Sequence, residues 1–160
     1  MRRRFFAWLG LSFVVFAATA KAQVDSVPPL GTIAAEQDYV FAYGLFQDSL
    51  YQLAAVQFAE YLQKYPSHPR RMEAAFFVSE CHFRLGQYYD AIRSFNAFVN
   101  AYPREKWTAD AYVRLGESHL KLGKNAEAVE AYKVVLERFG DSPVASDAAY
   151  WVGEAAFRQS

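Results

Sequence analysis

The sequence predicts an all-α solenoid of antiparallel helix pairs, about three and a half units long, and two observations carry that expectation. Side chains of the same class recur every 37 residues: Ala54, Ala91 and Ala128; Phe58, Phe95 and Tyr132; Ala74, Ala111 and Ala148; Glu80, Glu117 and Glu154. A fixed period of this size marks units that cannot bury their apolar faces alone and stack to share one core. Within a unit the pattern is helical, with Tyr112, Leu115, His119 and Leu122 along one stretch and Ala128, Tyr132, Val135 and Phe139 along the next.

Helices are expected at about 34–48, 50–65, 70–85, 88–102, 107–122, 125–139 and 144–158. Gly86 and Gly123 separate the two helices of their units, where the chain reversal needs a residue tolerant of positive φ. Tyr65-Pro66 and Tyr102-Pro103 end second helices, because proline cannot continue a helix and disfavours the α region for the residue before it. Pro69 and Pro143 stand where the next helix begins, with Ser142 as its N-cap. The units are then 34–69, 70–106, 107–143 and a half unit at 144–160.

A leader precedes them. Met1, Arg2 to Arg4, the apolar run Phe5–Ala18 and the small-x-small pattern Ala20-Lys21-Ala22 read as a secretory signal peptide, expected to be cut after Ala22 and followed by a flexible linker at 23–33. The rival is an uncleaved anchor, against which the run falls short of the roughly 20 apolar residues a membrane-crossing helix needs. Loss of Arg2, Arg3, Arg4 and Lys21 would leave 13 basic against 17 acidic side chains, which excludes a nucleic-acid footprint. Cys81 is the only cysteine, so neither an internal disulfide nor a lipid-modified N-terminus is expected.

The columns resemble the tetratricopeptide repeat, W-x2-L-G-x2-Y, then A-x3-F, then P. The third unit reads Tyr112-x2-Leu115-Gly116-x2-His119, then Ala128-x3-Tyr132, then Gly140. The second supplies Ala75, Val78, Ser79 and His82, then Ala91-x3-Phe95, then Pro103, and the first Phe41, Ala42 and Leu45, then Ala54-x3-Phe58, then Pro66. The resemblance implies a right-handed superhelical solenoid that binds proteins. Its usual period is about 34 residues, and the extra residues here fall between the proline and the next helix, implying a first helix lengthened by almost a turn. Exported repeat proteins of bacterial envelopes, such as the outer-membrane barrel-assembly lipoprotein and the Tol-Pal-associated periplasmic protein, are similar in period. This chain lacks the lipidation cysteine of the one and the heptad-rich coiled coil of the other.

The resemblance also implies a concave groove lined by the first helices, with Tyr39, Tyr43, Phe76, Glu80, Val113, Glu117, Tyr150 and Glu154 facing it. A peptide carrying apolar anchors and a Lys or Arg would complement such a surface. The glutamates have a plainer reading as helix-surface pairs, Glu80-Arg84, Glu117-Lys121 and Glu154-Arg158, each spaced i, i+4. Relatives that grip a C-terminal carboxylate use Lys and Asn where this chain has Tyr, Phe, Val and Glu, so that mode is not expected.

Cys81 matches Gly44, Ser118 and Ala155 and reads as a small residue at a close helix contact. His82 and His119 share a column without further convergent ligands, and His68 is expected to be solvated in a turn, so no metal or cofactor is implied. No nucleophile, zinc or phosphate-loop motif is present, and the expectation is a scaffold, not an enzyme. The last half unit places Trp151 and Phe157 on an uncovered apolar helix, which reads either as the start of a longer solenoid or as a docking patch. The functional expectation is an exported scaffold, periplasmic or peripheral to the outer membrane, that holds a peptide or partner protein. The alternative is a spacer within a longer envelope protein.

Overall fold

A computed structural model describes residues 30–157, and the leader and most of the linker lie outside them. Seven helices follow one another: α1 Leu30–Gln47, α2 Tyr51–Lys64, α3 Arg71–Arg84, α4 Tyr88–Ala101, α5 Thr108–Lys121, α6 Asn125–Arg138 and α7 Ala145–Phe157. The chain divides into two units at Ala34, and the described part of the first is only the opening turn of α1. From Ala35 onward the chain is a solenoid of helix pairs of the tetratricopeptide kind, about three and a half repeats long.

The reversals inside the three complete pairs are the same motif. Ser49, Gly86 and Gly123 take φ of 61°, 71° and 70°. The following N–H reaches five residues back, from Leu50 to Leu45 O, Gln87 to His82 O and Lys124 to His119 O, at 2.9 Å each. This is the Schellman closure, which uses a left-handed residue to satisfy the last carbonyls of a helix. Charge supports the helix ends: Glu73, Asp110 and Asp147 lie in first turns, Lys64, Arg84, Lys121 and Arg138 in last turns, each complementing the macrodipole.

The repeat columns form the interior. Ala54, Ala91, Ala128, Phe58, Phe95, Tyr132, Ala74, Ala111 and Ala148 are all 0 % exposed. Three apolar clusters run through the stack, and the middle one joins Phe76 of α3, Phe95 and Phe98 of α4, Leu115 of α5 and Ala131 of α6. Consecutive helices pack throughout α2 to α7, and first helices also meet directly, α3 with α5 and α5 with α7. Ring contacts of Phe77 with Tyr43 at 5.1 Å and Phe46 at 4.9 Å tie α1 to α3.

Four expectations are corrected. The helix expected from 34 begins at Leu30, so 30–33 are not linker. The first helices α3 and α5 are 14 residues long, no longer than the second helices α2 and α4. The extra residues instead extend the connections between pairs, where Arg71, Thr108 and Ala145 each donate their N–H to the carbonyl three residues back. Ser142 is therefore not a side-chain N-cap: its carbonyl receives Ala145 N–H while its hydroxyl is buried beneath the turn. His68 is not solvated either. Its side chain is 10 % exposed, with Nδ1 at 2.6 Å from Tyr61 Oη and Nε2 at 3.8 Å from Glu36.

Candidate functional site

The first helices leave one side to solvent, and two hollows open there. The first, about 320 Å³, has Phe46 of α1, Phe76 and Phe77 of α3 and Trp107 before α5 as its apolar floor. Trp107 stands edge-on to both phenylalanines, with ring centroids 4.5 and 5.2 Å apart. Glu80, Arg84, Asp110 and Arg114 complete it. The second, about 370 Å³, is bounded by Phe83 of α3, Arg114, Glu117, Leu120 and Lys121 of α5 and Trp151 of α7. Arg114 belongs to both, so the hollows are neighbours along one groove.

A charge network divides them. Glu80 is 3 % exposed, and its two carboxylate oxygens accept from Arg84 Nε on its own helix and Arg114 Nε on α5, both at 2.8 Å. Arg114 also donates to Glu117 at 2.6 Å and lies 5.0 Å over the Phe83 ring. Desolvation opposes the charge on Arg114, but Glu80 and Glu117 outweigh it and hold the guanidinium protonated. A buried carboxylate with both oxygens paired is held in place and locks α3 to α5. At the rim, desolvation raises the Asp110 carboxyl above its ordinary value, against the pull of its own backbone N–H and Arg114.

The eight residues expected at the groove are distributed differently. Phe76 and Glu80 line the first hollow as its nearly buried floor, and Glu117 lines the second. Tyr39 is buried against Phe58 and Tyr61, beneath the Arg70 guanidinium, and Val113 is buried in the third cluster. Tyr43 is half-buried, stacked between Tyr39 and Phe46. Tyr150 is 63 % exposed, and Glu154 is half-buried on the same helix. Of the expected helix pairs, Glu80 with Arg84 is formed, Glu117 turns to Arg114 and not to Lys121, and Arg158 lies outside the described residues. Of the terminal residues, Phe157 is 77 % exposed, whereas Trp151 turns into the second hollow.

Sequence reasoning missed Phe46, Phe77, Phe83, Arg84, Trp107, Asp110, Arg114, Leu120 and Lys121. A signal for one column was present: Glu36, Glu73, Asp110 and Asp147 recur every 37 residues, and Asp110 stands at the groove.

Cys81 is buried in the first cluster, as a small residue at a helix contact should be, and burial next to Glu80 pushes its thiol up to about 12. His82 Nδ1 lies 2.9 Å from Gln87 Oε1, and burial lowers the His119 pKa. Among the described residues no three His, Cys, Asp or Glu side chains converge on a metal position, and no helix is long and apolar enough to cross a membrane.

Two family models match: one described as tetratricopeptide repeat over residues 113–160, and one described as anaphase-promoting complex, cyclosome, subunit 3, over residues 49–135, more than half the chain. No curated protein matches. Among solved structures, the Yersinia enterocolitica type III secretion chaperone SycD, in complex with a peptide of the translocator YopD, is similar with a TM-score of 0.69 and 19 % identity. That likeness covers 78 % of this chain and 94 % of SycD. PcrH in complex with the chaperone-binding region of PopD gives 0.68 at 18 % identity, covering 78 % and 92 %. The N-terminal domain of stress-induced protein-1 from C. elegans gives 0.64 at 16 % identity, covering 81 % and 99 %. At these identities the likeness establishes the fold.

Proposed function

We propose that this chain, which belongs to the tetratricopeptide-repeat family, is a non-catalytic scaffold that holds a peptide or partner segment along the groove of its first helices. One observation carries the reading: two adjoining hollows of about 320 and 370 Å³ lie along successive first helices, each with an aromatic floor or wall and charged side chains at its edge. Apolar floors take anchor side chains by burial, while Arg84, Lys121 and Asp110 orient the segment by charge. The fixed Glu80–Arg114 bridge makes the surface preorganised, which lowers the ordering cost of binding. The peptide complexes of SycD and PcrH support the reading by analogy of fold.

The cellular setting belongs to the same proposal. The leader Met1–Ala22 and the 37-residue period support export to the periplasm or the inner surface of the outer membrane, with an envelope protein as partner.

Photo-crosslinking tests the groove. A benzophenone side chain introduced at Arg84 or Lys121, both exposed at its rim, is expected to crosslink a partner in the producing cell. At Lys133 or Glu137, exposed on the second helix α6, it is expected to give none. Equal crosslinking from both sets, or from α6 alone, would move the binding surface away from the groove.

A further inference from the structure

Six charged side chains border the two groove hollows, and four of them neutralise one another. Glu80 holds Arg84 and Arg114 at 2.8 Å each, and Arg114 holds Glu117 at 2.6 Å. An acid of the first hollow, Asp110, and a base of the second, Lys121, are left over. Both are exposed, and neither forms an ion pair with any of the described residues.

The preceding repeats use the same columns differently. Glu36 and Glu73 stand where Asp110 does, and Arg70 reaches both, at 2.7 and 3.1 Å, with Lys106 3.9 Å from Glu73. The residues that correspond to Arg70 and Lys106 beyond Asp110 are Val144 and Pro143, which carry no charge. Desolvation of the Asp110 carboxyl is therefore offset only in part, by its own backbone N–H and by Arg114 at a distance. Lys121 stands where Arg84 does. Arg84 has Glu80 four residues before it, but the matching Glu117 is turned to Arg114. The helix dipole favours an acid in the first turn of α5 and a base in the last, which accounts for the signs of the two charges but not for their place beside apolar hollows.

We propose, resting on the groove reading above, that the bound segment is bipolar: a lysine or arginine meets Asp110, an aspartate or glutamate meets Lys121, and apolar side chains beside them fill the two hollows. The spacing follows from α5. Asp110 and Lys121 are eleven residues apart, three turns and about 20°, so they share one helix face about 16 Å apart. An extended segment covers that distance in about five residues. Arg114 and Glu117 lie between them on the same face, already neutral with Glu80 and Arg84, so a charge at the middle of the segment has nothing to meet. A segment of uniform charge gains at one hollow and is repelled at the other, which makes Asp110 and Lys121 selectors of charge pattern and not only sources of affinity.

Random peptides displayed on phage and selected on the full chain are the probe. Enriched peptides are expected to carry a base and an acid about five positions apart with apolar neighbours, and to crosslink to benzophenone at Arg84. For one such peptide, Asp110→Asn is expected to weaken binding about threefold or more, and exchanging the peptide's base for glutamine in that variant to cost nothing further. Lys121→Gln and the peptide's acid are expected to behave in the same way. Enriched peptides that crosslink but share no such charge pattern, or losses that simply add in both cycles, would overturn the bipolar assignment and leave the groove standing. Enrichment of peptides that do not crosslink from Arg84, or no enrichment, would overturn the groove reading and this assignment with it.

Discussion

Phe95→Ala is expected to destabilise the protein by about 3–5 kcal/mol, the range for removing a large aromatic from a packed core. Phe95 is fully buried at the centre of the stack and touches the Phe76 ring at 5.7 Å. Its cluster draws side chains from α3, α4, α5 and α6, so the cavity it leaves borders two repeats and cannot be closed by one hairpin shifting. A loss that size is a large part of a domain's net stability. Urea unfolding followed by circular dichroism measures it, and a loss below about 1 kcal/mol would mean the cluster is not a shared core.

Gly116→Ala is expected to cost about 1–3 kcal/mol through overpacking. A Cβ built at Gly116 would lie 2.5 to 2.8 Å from three ring carbons of Tyr132, and that ring is fully buried. Glycine is needed here for the close approach of the ring, not for a special φ. In the same two columns the other repeats carry Ala42 with Phe58 and Ser79 with Phe95, a side chain with a Cβ together with a ring that has no hydroxyl. Tyr132→Phe is accordingly expected to recover part of the loss, appearing as coupling in a double-mutant cycle. Equal penalties for Gly116→Ala in both backgrounds would show that the ring contact is not the cause.

The residues that make a repeat were legible because each has one role. Ala54, Ala91 and Ala128 allow close helix approach, Phe58, Phe95 and Tyr132 fill the space between helices, and Gly86 and Gly123 take positive φ, so their recurrence exposed the architecture. Ser49 takes the same left-handed turn in the first repeat, but a serine there gives no sequence signal. The groove was harder to read. A first helix in a stack is covered by its own partner and by the pairs on both sides, so its apolar stripe is wide and periodicity does not single out the open edge. Phe76 and Phe77 are adjacent and both buried, and the groove follows 76, 77, 80 and 84 in α3 and 110, 114, 117 and 121 in α5. Of the expected column Phe76, Glu80 and Glu117 reach the groove, whereas Val113, one residue and about 100° round the helix from Arg114, is buried. The Glu80–Arg114 bridge joins side chains 34 residues apart, and an i, i+4 pattern cannot reveal a partner on another helix.

Native-state hydrogen exchange of the wild type and Phe95→Ala tests most directly whether the repeats share one interior that leaves the first helices free to form a groove. The account predicts that the substitution lowers protection of amides in α5 and α6 together with those in α3 and α4, because the cluster around Phe95 spans all four helices. Loss confined to α3 and α4, with α5 and α6 exchanging as before, would contradict it.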